Sequence, residues 1–109
     1  MNLQLKKYQN TYIIELDGEL DLYNAHKLEQ LYHKMTERNI KSIIIDLKKL
    51  SYLNSTGLGT LVYIYKNAKN KNINLLYCNL IGFPKKLIQT AQLDKFFPIE
   101  NTLNDCLKS

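Results

Sequence analysis

Residues 40–47, built around Ser42-Ile43-Ile44-Ile45-Asp46-Leu47, form the densest β-branched stretch of the chain and constrain its fold most. An unbroken apolar run is what a strand covered on both faces requires, whereas a strand with one wet face alternates. The segment is therefore expected as a central strand. Just downstream, Leu58, Leu61, Val62 and Tyr65 recur at helical spacing, which predicts a helix over residues 55–70. Between the two lies Asn54-Ser55-Thr56-Gly57-Leu58-Gly59, with adjacent hydroxyls where strand hands over to helix. A serine at such a junction suits an N-cap, because its oxygen accepts a bond from an orphan helix N–H. It is also a place where an added phosphoryl group acts with large electrostatic effect. The residues alone leave both roles open.

The remaining pattern supplies the partners of that central strand. Residues 3–8 and 12–16 read as two strands joined by a turn at Gln9-Asn10. Asp17-Gly18-Glu19-Leu20-Asp21 then breaks the alternation. A helix is predicted over 24–38, with Asn24 its N-cap and Leu28, Leu31, Tyr32 and Met35 its apolar stripe; Asn39 is expected to end it in a left-handed conformation. Lys71-Asn72 turns into a strand over 73–78. Gly82-Phe83-Pro84 opens a third helix over 84–90, since proline suits a first helical turn. A short strand near 97–99 and a helix over 103–107 follow. Pro98 has no N–H to donate, which puts the last strand at a sheet edge. The order β-β-α-β-α-β-α-β-α predicts an α/β fold, a small mixed sheet with helices packed on it and right-handed parallel crossovers. No repeat or linker interrupts the chain, so residues 1–109 are expected to form a single domain.

Most functional classes find no support. Hydrophobic content of 45% and charged content of 23% suit a globular fold. Met1-Asn2-Leu3-Gln4-Leu5-Lys6-Lys7 has no apolar signal core, and no apolar run approaches the ~20 residues that span a bilayer, so a cytoplasmic protein is expected. The charge of +5 comes from scattered lysines and one arginine, Arg38, which suits a solvated surface better than nucleic-acid readout. Cys78 and Cys106 match no metal or redox spacing, and Cys78 is expected as a small buried residue. His26 and His33, each followed by a lysine, lack any H-E-x-x-H context and read as exposed surface histidines. Asn54-Ser55-Thr56-Gly57 lacks the G-x-S-x-G elbow of hydrolases, and Gly57-Leu58-Gly59 lacks the rest of a nucleotide loop. No catalytic residue, metal site or cofactor is expected. Glu19 and Asp21 are either a polar turn that starts the first helix or a partner contact. Leu80-Ile81-Gly82-Phe83-Pro84 is expected to dock the third helix rather than to form an exposed patch.

Three segments nevertheless carry a resemblance. They are Gly18-Glu19-Leu20-Asp21, the run Ile43-Ile44-Ile45-Asp46-Leu47 leading into Leu53-Asn54-Ser55-Thr56-Gly57-Leu58-Gly59, and Leu93-Asp94-Lys95-Phe96-Phe97. Over essentially its whole length the chain resembles the anti-sigma factor antagonists, which are stand-alone STAS domains, and so implies a STAS-like sheet. That family's pattern is Asp-Ser-Ser/Thr-Gly-Leu-Gly, phosphorylated on the serine directly after the acid. By position the acceptor is Ser55, with Thr56 the second choice. Asn54 stands where the acid is usual, keeping its shape and hydrogen-bonding oxygen without the charge. The resemblance implies partner binding through Glu19, Asp21, Asn54, Ser55, Thr56, Gly57 and Leu58. The unphosphorylated form would bind an anti-sigma factor that is also a serine kinase; phosphorylation would end binding, and a serine phosphatase would restore it. No direct nucleic-acid contact or membrane insertion is implied, and the chain would be a kinase substrate, not an enzyme. Two other readings stand beside this one. One is a STAS-type interaction subunit of another signalling or transport complex, with Ser55 only a helix cap; the other is a small α/β enzyme with an unrecognised site.

Overall fold

The computed structural model describes residues 1–108. Its elements follow the expected order: β1 (Asn2–Tyr8), β2 (Thr11–Leu20), α1 (Leu22–Thr36), β3 (Ser42–Leu53), α2 (Ser55–Asn70), β4 (Asn74–Cys78), α3 (Gly82–Thr90), β5 (Ile99–Glu100) and α4 (Leu103–Leu107). The sheet runs β1-β2-β3-β4-β5, antiparallel between β1 and β2 and parallel across the rest. β3 is central, as its dense β-branched run predicted, and Ile43 through Leu47 are all buried, Asp46 among them. β5 is an edge strand. Pro98 lies outside it, and the Pro98 carbonyl accepts a bond from the Tyr77 N–H at 2.9 Å.

The alternation of β3 serves two cores. Ile43, Ile45 and Leu47 join Ala25, Leu28, Tyr32 and Met35 of α1, Leu61, Ile64 and Ala68 of α2, and Ile88 of α3. On the other face Ile44 joins Ile13, Cys78 and Cys106, with Leu103 and Leu107 of α4 packed against them. The mixed sheet is therefore covered by α1–α3 on one side and by the short α4 on the other. Tyr77, 1% exposed, donates its hydroxyl proton to the Leu61 carbonyl at 2.6 Å and ties β4 to α2.

Several boundaries differ from expectation. β2 continues past residue 16 to Leu20, and β3 continues past residue 47 to Leu53. The two extensions hold each other, with Asp17 opposite Lys49, Gly18 opposite Leu50, Glu19 opposite Tyr52 and Leu20 opposite Leu53. Register shifts between Glu15 and Asp17 and between Gly18 and Glu19, with Gly18 at φ +116°, absorb residues that no alternating pattern would place in a strand. α1 starts at Leu22 with Asp21, not Asn24, as its cap, because the longer β2 ends one residue before Asp21. That helix stops at Thr36 with Glu37 in right-handed conformation; Asn39 is not left-handed. His26 is exposed, but His33 is half-buried, its Nε2 3.0 Å from the Tyr63 hydroxyl where α1 meets α2. Cys106 has a neighbour that spacing hid, since both thiols are buried in the α4-side core.

Candidate functional site

Parallel pairing of β2 and β3 places two helix starts side by side. Because Leu20 and Leu53 are opposite one another, the residues that follow them, Asp21 and Asn54, are structural equivalents. Both are extended, at φ −107° and −104°, and both cap the helix that follows. The Asp21 carboxylate accepts from the Asn24 N–H at 3.0 Å, and the Asn54 side-chain oxygen accepts from the Gly57 N–H at 2.9 Å. An asparagine serves here as well as an acid would, because the bond needs an oxygen and not a charge. The Asn54 N–H donates to the Leu20 carbonyl at 3.3 Å and ties the two starts together, while Asn24 Nδ2 donates to the Glu19 carbonyl at 2.8 Å and ties α1 to the end of β2.

Gly57 sets how closely α2 approaches. A Cβ there would overlap the Leu20 carbonyl oxygen and stand 2.9 Å from Leu20 Cγ and 3.1 Å from the Leu20 carbonyl carbon. Only glycine lets the first turn of α2 lie against the end of β2. Gly59, two residues on, faces open space.

Asn54, not Ser55, is therefore the N-cap, which corrects the reading of the serine as a cap. Ser55 is the first helical residue, and it and Thr56 are exposed. Neither hydroxyl is engaged in a hydrogen bond among the described residues. Leu58 is half-buried and packs on the core, so it contributes only an edge to the surface. Glu19 is exposed opposite Tyr52, and Asp21 shares with Asn54 an open hollow of about 590 Å³. All seven residues expected at the site, Glu19, Asp21, Asn54, Ser55, Thr56, Gly57 and Leu58, thus lie at the C-terminal ends of β2 and β3 or in the first turn of α2.

The same end carries apolar residues that the sequence analysis did not place at the site. Leu22 and Tyr23 wall the hollow beside Asp21 and Asn54. Tyr52 stacks on Phe83, with ring centroids 5.3 Å apart and planes 13° from parallel. The loop expected to dock α3 divides its work: Pro84 is buried and Leu80 half-buried, while Ile81 and Phe83 are exposed. The available signal was the Leu22-Tyr23 pair directly after a capping acid. Apolar character alone does not tell an inward side chain from an outward one. No helix among the described residues is long and apolar enough to cross a membrane.

Comparison with known proteins agrees with the fold. The STAS domain family model matches residues 2–106. An anti-sigma-B factor antagonist of Staphylococcus aureus is 34% identical over 77 residues, covering 71% of this chain and 70% of that protein. The structure of an anti-sigma factor antagonist from Mycobacterium paratuberculosis superposes with a TM-score of 0.88 at 25% identity, covering 98% of this chain and 91% of that one. The Bacillus cell fate determinant SpoIIAA in its phosphorylated form has the same fold, with a TM-score of 0.76 at 19% identity over 98% of this chain and 97% of the other.

Proposed function

From the premise that this chain belongs to the STAS domain family, among the anti-sigma factor antagonists, we propose that it is a partner-switching protein whose phosphoacceptor is Ser55. One observation carries the reading: Ser55 is an exposed first helical residue whose hydroxyl is free because Asn54 does the capping. A kinase can reach that hydroxyl without unfolding the helix start. The phosphorylated form known for SpoIIAA, a protein of the same fold, supports the chemistry.

The unphosphorylated surface around Asn54, Ser55 and Thr56 binds an anti-sigma factor with serine kinase activity, with Glu19, Asp21, Gly57 and Leu58 shaping the contact. Phosphorylation adds about 1.5 to 2 negative charges. Inside a packed interface that charge meets a desolvation penalty and repulsion, and each ~1.4 kcal/mol of loss weakens binding tenfold. Within the protein, the α2 N-terminus offsets about 0.3–1 kcal/mol of the new charge. Asn54 helps too, because it sets no second negative charge beside the phosphate. The fold therefore persists while the interface fails, and a serine phosphatase resets it. The chain acts in one domain as the kinase's substrate, with the ATP chemistry performed by the partner.

The test is to incubate the protein with its cognate kinase and ATP and map the product by mass spectrometry. Phosphate is expected on Ser55, and Ser55→Ala is expected to remove it while retaining partner binding and the native circular dichroism spectrum. Phosphate on Thr56 alone, or none with a demonstrably active kinase, overturns the assignment.

A further inference from the structure

The end of the molecule that carries Ser55 also carries an apolar surface that folding does not account for. Among the described residues nine large hydrophobic side chains are exposed, and five of them, Leu22, Tyr23, Tyr52, Ile81 and Phe83, gather where β2, β3 and β4 end. They form two lobes. Leu22 and Tyr23, 70% and 69% exposed, wall the hollow that Asn54 closes. Tyr52 and Phe83 form the second lobe by stacking, with Ile81, 53% exposed, two residues before Phe83. Asn54 belongs to the first hollow, and in the chain Asn54 and Ser55 come two and three residues after Tyr52 of the second lobe. Leu22 and Tyr23 bury little on folding, and Phe83 and Tyr52 remain 48% and 41% exposed. Clustered exposed apolar side chains mark an interaction site, and aromatic anchors dominate such sites.

We propose that these two lobes are the anchors by which the unphosphorylated protein holds its anti-sigma factor, an inference that rests on the partner-switching reading above. The occupant is a protein face with apolar recesses for Tyr23 and Phe83 and a cation opposite Glu19. Charge argues for the cation. The chain as a whole is +5, and Lys27 Nζ lies 4.6 Å from the Tyr23 ring centroid, yet the Glu19 carboxylate is exposed and in no ion pair among the described residues, with Asp21 two residues on. The lobes and the acceptor divide the work. The aromatic side chains supply affinity, and the hydroxyl supplies the switch, because a phosphate on the residue after Asn54, at the edge of the hollow that Tyr23 walls, holds water in an interface that must be dry.

Titration calorimetry with the cognate anti-sigma factor tests this, using the full chain and the variants Tyr23→Ser, Phe83→Ser and, as control, Tyr8→Ser. Tyr8 is 50% exposed but ends β1 beside the start of β2, at the opposite end of the molecule. Tyr23→Ser and Phe83→Ser are each expected to weaken binding at least tenfold, and Tyr8→Ser less than twofold. Ile81→Ser repeats the second-lobe test without breaking the Tyr52–Phe83 stack, should Phe83→Ser disturb α3. Wild-type binding with lobe variants equal to the control overturns the anchors and leaves the switch reading standing. A wild type that shows neither binding nor phosphorylation overturns the partner reading and the anchors with it. A concentration-dependent dimer that Tyr23→Ser or Phe83→Ser dissolves assigns the lobes to a second copy of the chain and also overturns the proposal.

Discussion

Two glycines two residues apart in α2 should respond to the same substitution with opposite sign. At Gly57 an added methyl collides with backbone, the Leu20 carbonyl, as well as with Leu20 Cγ at 2.9 Å. Backbone cannot rotate away as a side-chain tip can, so the cost belongs near the top of the ~1–3 kcal/mol range for overpacking. Replacing glycine by alanine in a helix returns at most about 1 kcal/mol. Gly57→Ala is therefore expected to destabilise by about 1–2 kcal/mol net. At Gly59 no heavy atom lies within 4 Å of the new Cβ, so only the propensity gain remains. Gly59→Ala should stabilise by about 0.5–1 kcal/mol. With a shift of about 4 °C per kcal/mol for a domain of this size, Gly57→Ala should lower Tm by ~4–8 °C and Gly59→Ala raise it by ~2–4 °C. Urea and thermal denaturation followed by circular dichroism measure both. A Gly57→Ala protein as stable as wild type would refute the claim that α2 is seated directly against the end of β2. The clash also pries the first turn of α2 off Leu20, where the Asn54 N–H is bound, so the same variant should be a poorer kinase substrate than Gly59→Ala.

Three further outcomes follow from the contacts. Asn54→Ala should cost about 1 kcal/mol through loss of the bond to the Gly57 N–H, whereas Asn54→Asp keeps the cap and should be near neutral, as read from denaturation midpoints. Burial acts to raise the Glu15 pKa, but Lys49 at 3.3 Å and Lys6 at 3.5 Å outweigh it and hold the carboxyl below its ordinary 4.5. A carboxylate with a lower pKa folded than unfolded adds stability that is present above the unfolded value and lost as pH falls through the folded one; Glu15→Gln should flatten the loss of stability below pH 4.5. Burial, the largest cause in each case, pushes the Cys78 thiol well up and the Cys106 thiol up to about 11, so a thiolate-selective reagent should label both slowly in the native protein and quickly in denaturant.

Much of the fold was legible because its signals are local. The apolar spacing after Ser55 predicted α2 with its observed bounds, and residues 103–107 were likewise a helix as expected. The β-branched run at 42–47 marked the central strand. What escaped were segments whose structure depends on a neighbour. Asp17-Gly18-Glu19 and Lys48-Lys49 have no strand pattern of their own, yet each ladder gives the other its partners. The position proposed for the phosphoacceptor could be read from the motif, since the order of residues survives folding. The cap was not, because Ser55 and Asn54 are both good capping residues and the choice depends on where β3 stops.

By itself, the sequence determined the element order, the central strand and the hydroxyl that stands after Asn54, because periodicity and motif spacing are properties of the chain. Tertiary structure alone decided that Asn54 takes the capping bond and leaves Ser55 free. It decided that Gly57 must be glycine, and that Leu22, Tyr23, Tyr52 and Phe83 face outward around one end. The physical reason is common to all of these except Phe83, which α3 carries. Each depends on the in-register ends of two parallel strands, Leu20 beside Leu53, which are 33 residues apart in sequence and meet only when the sheet forms.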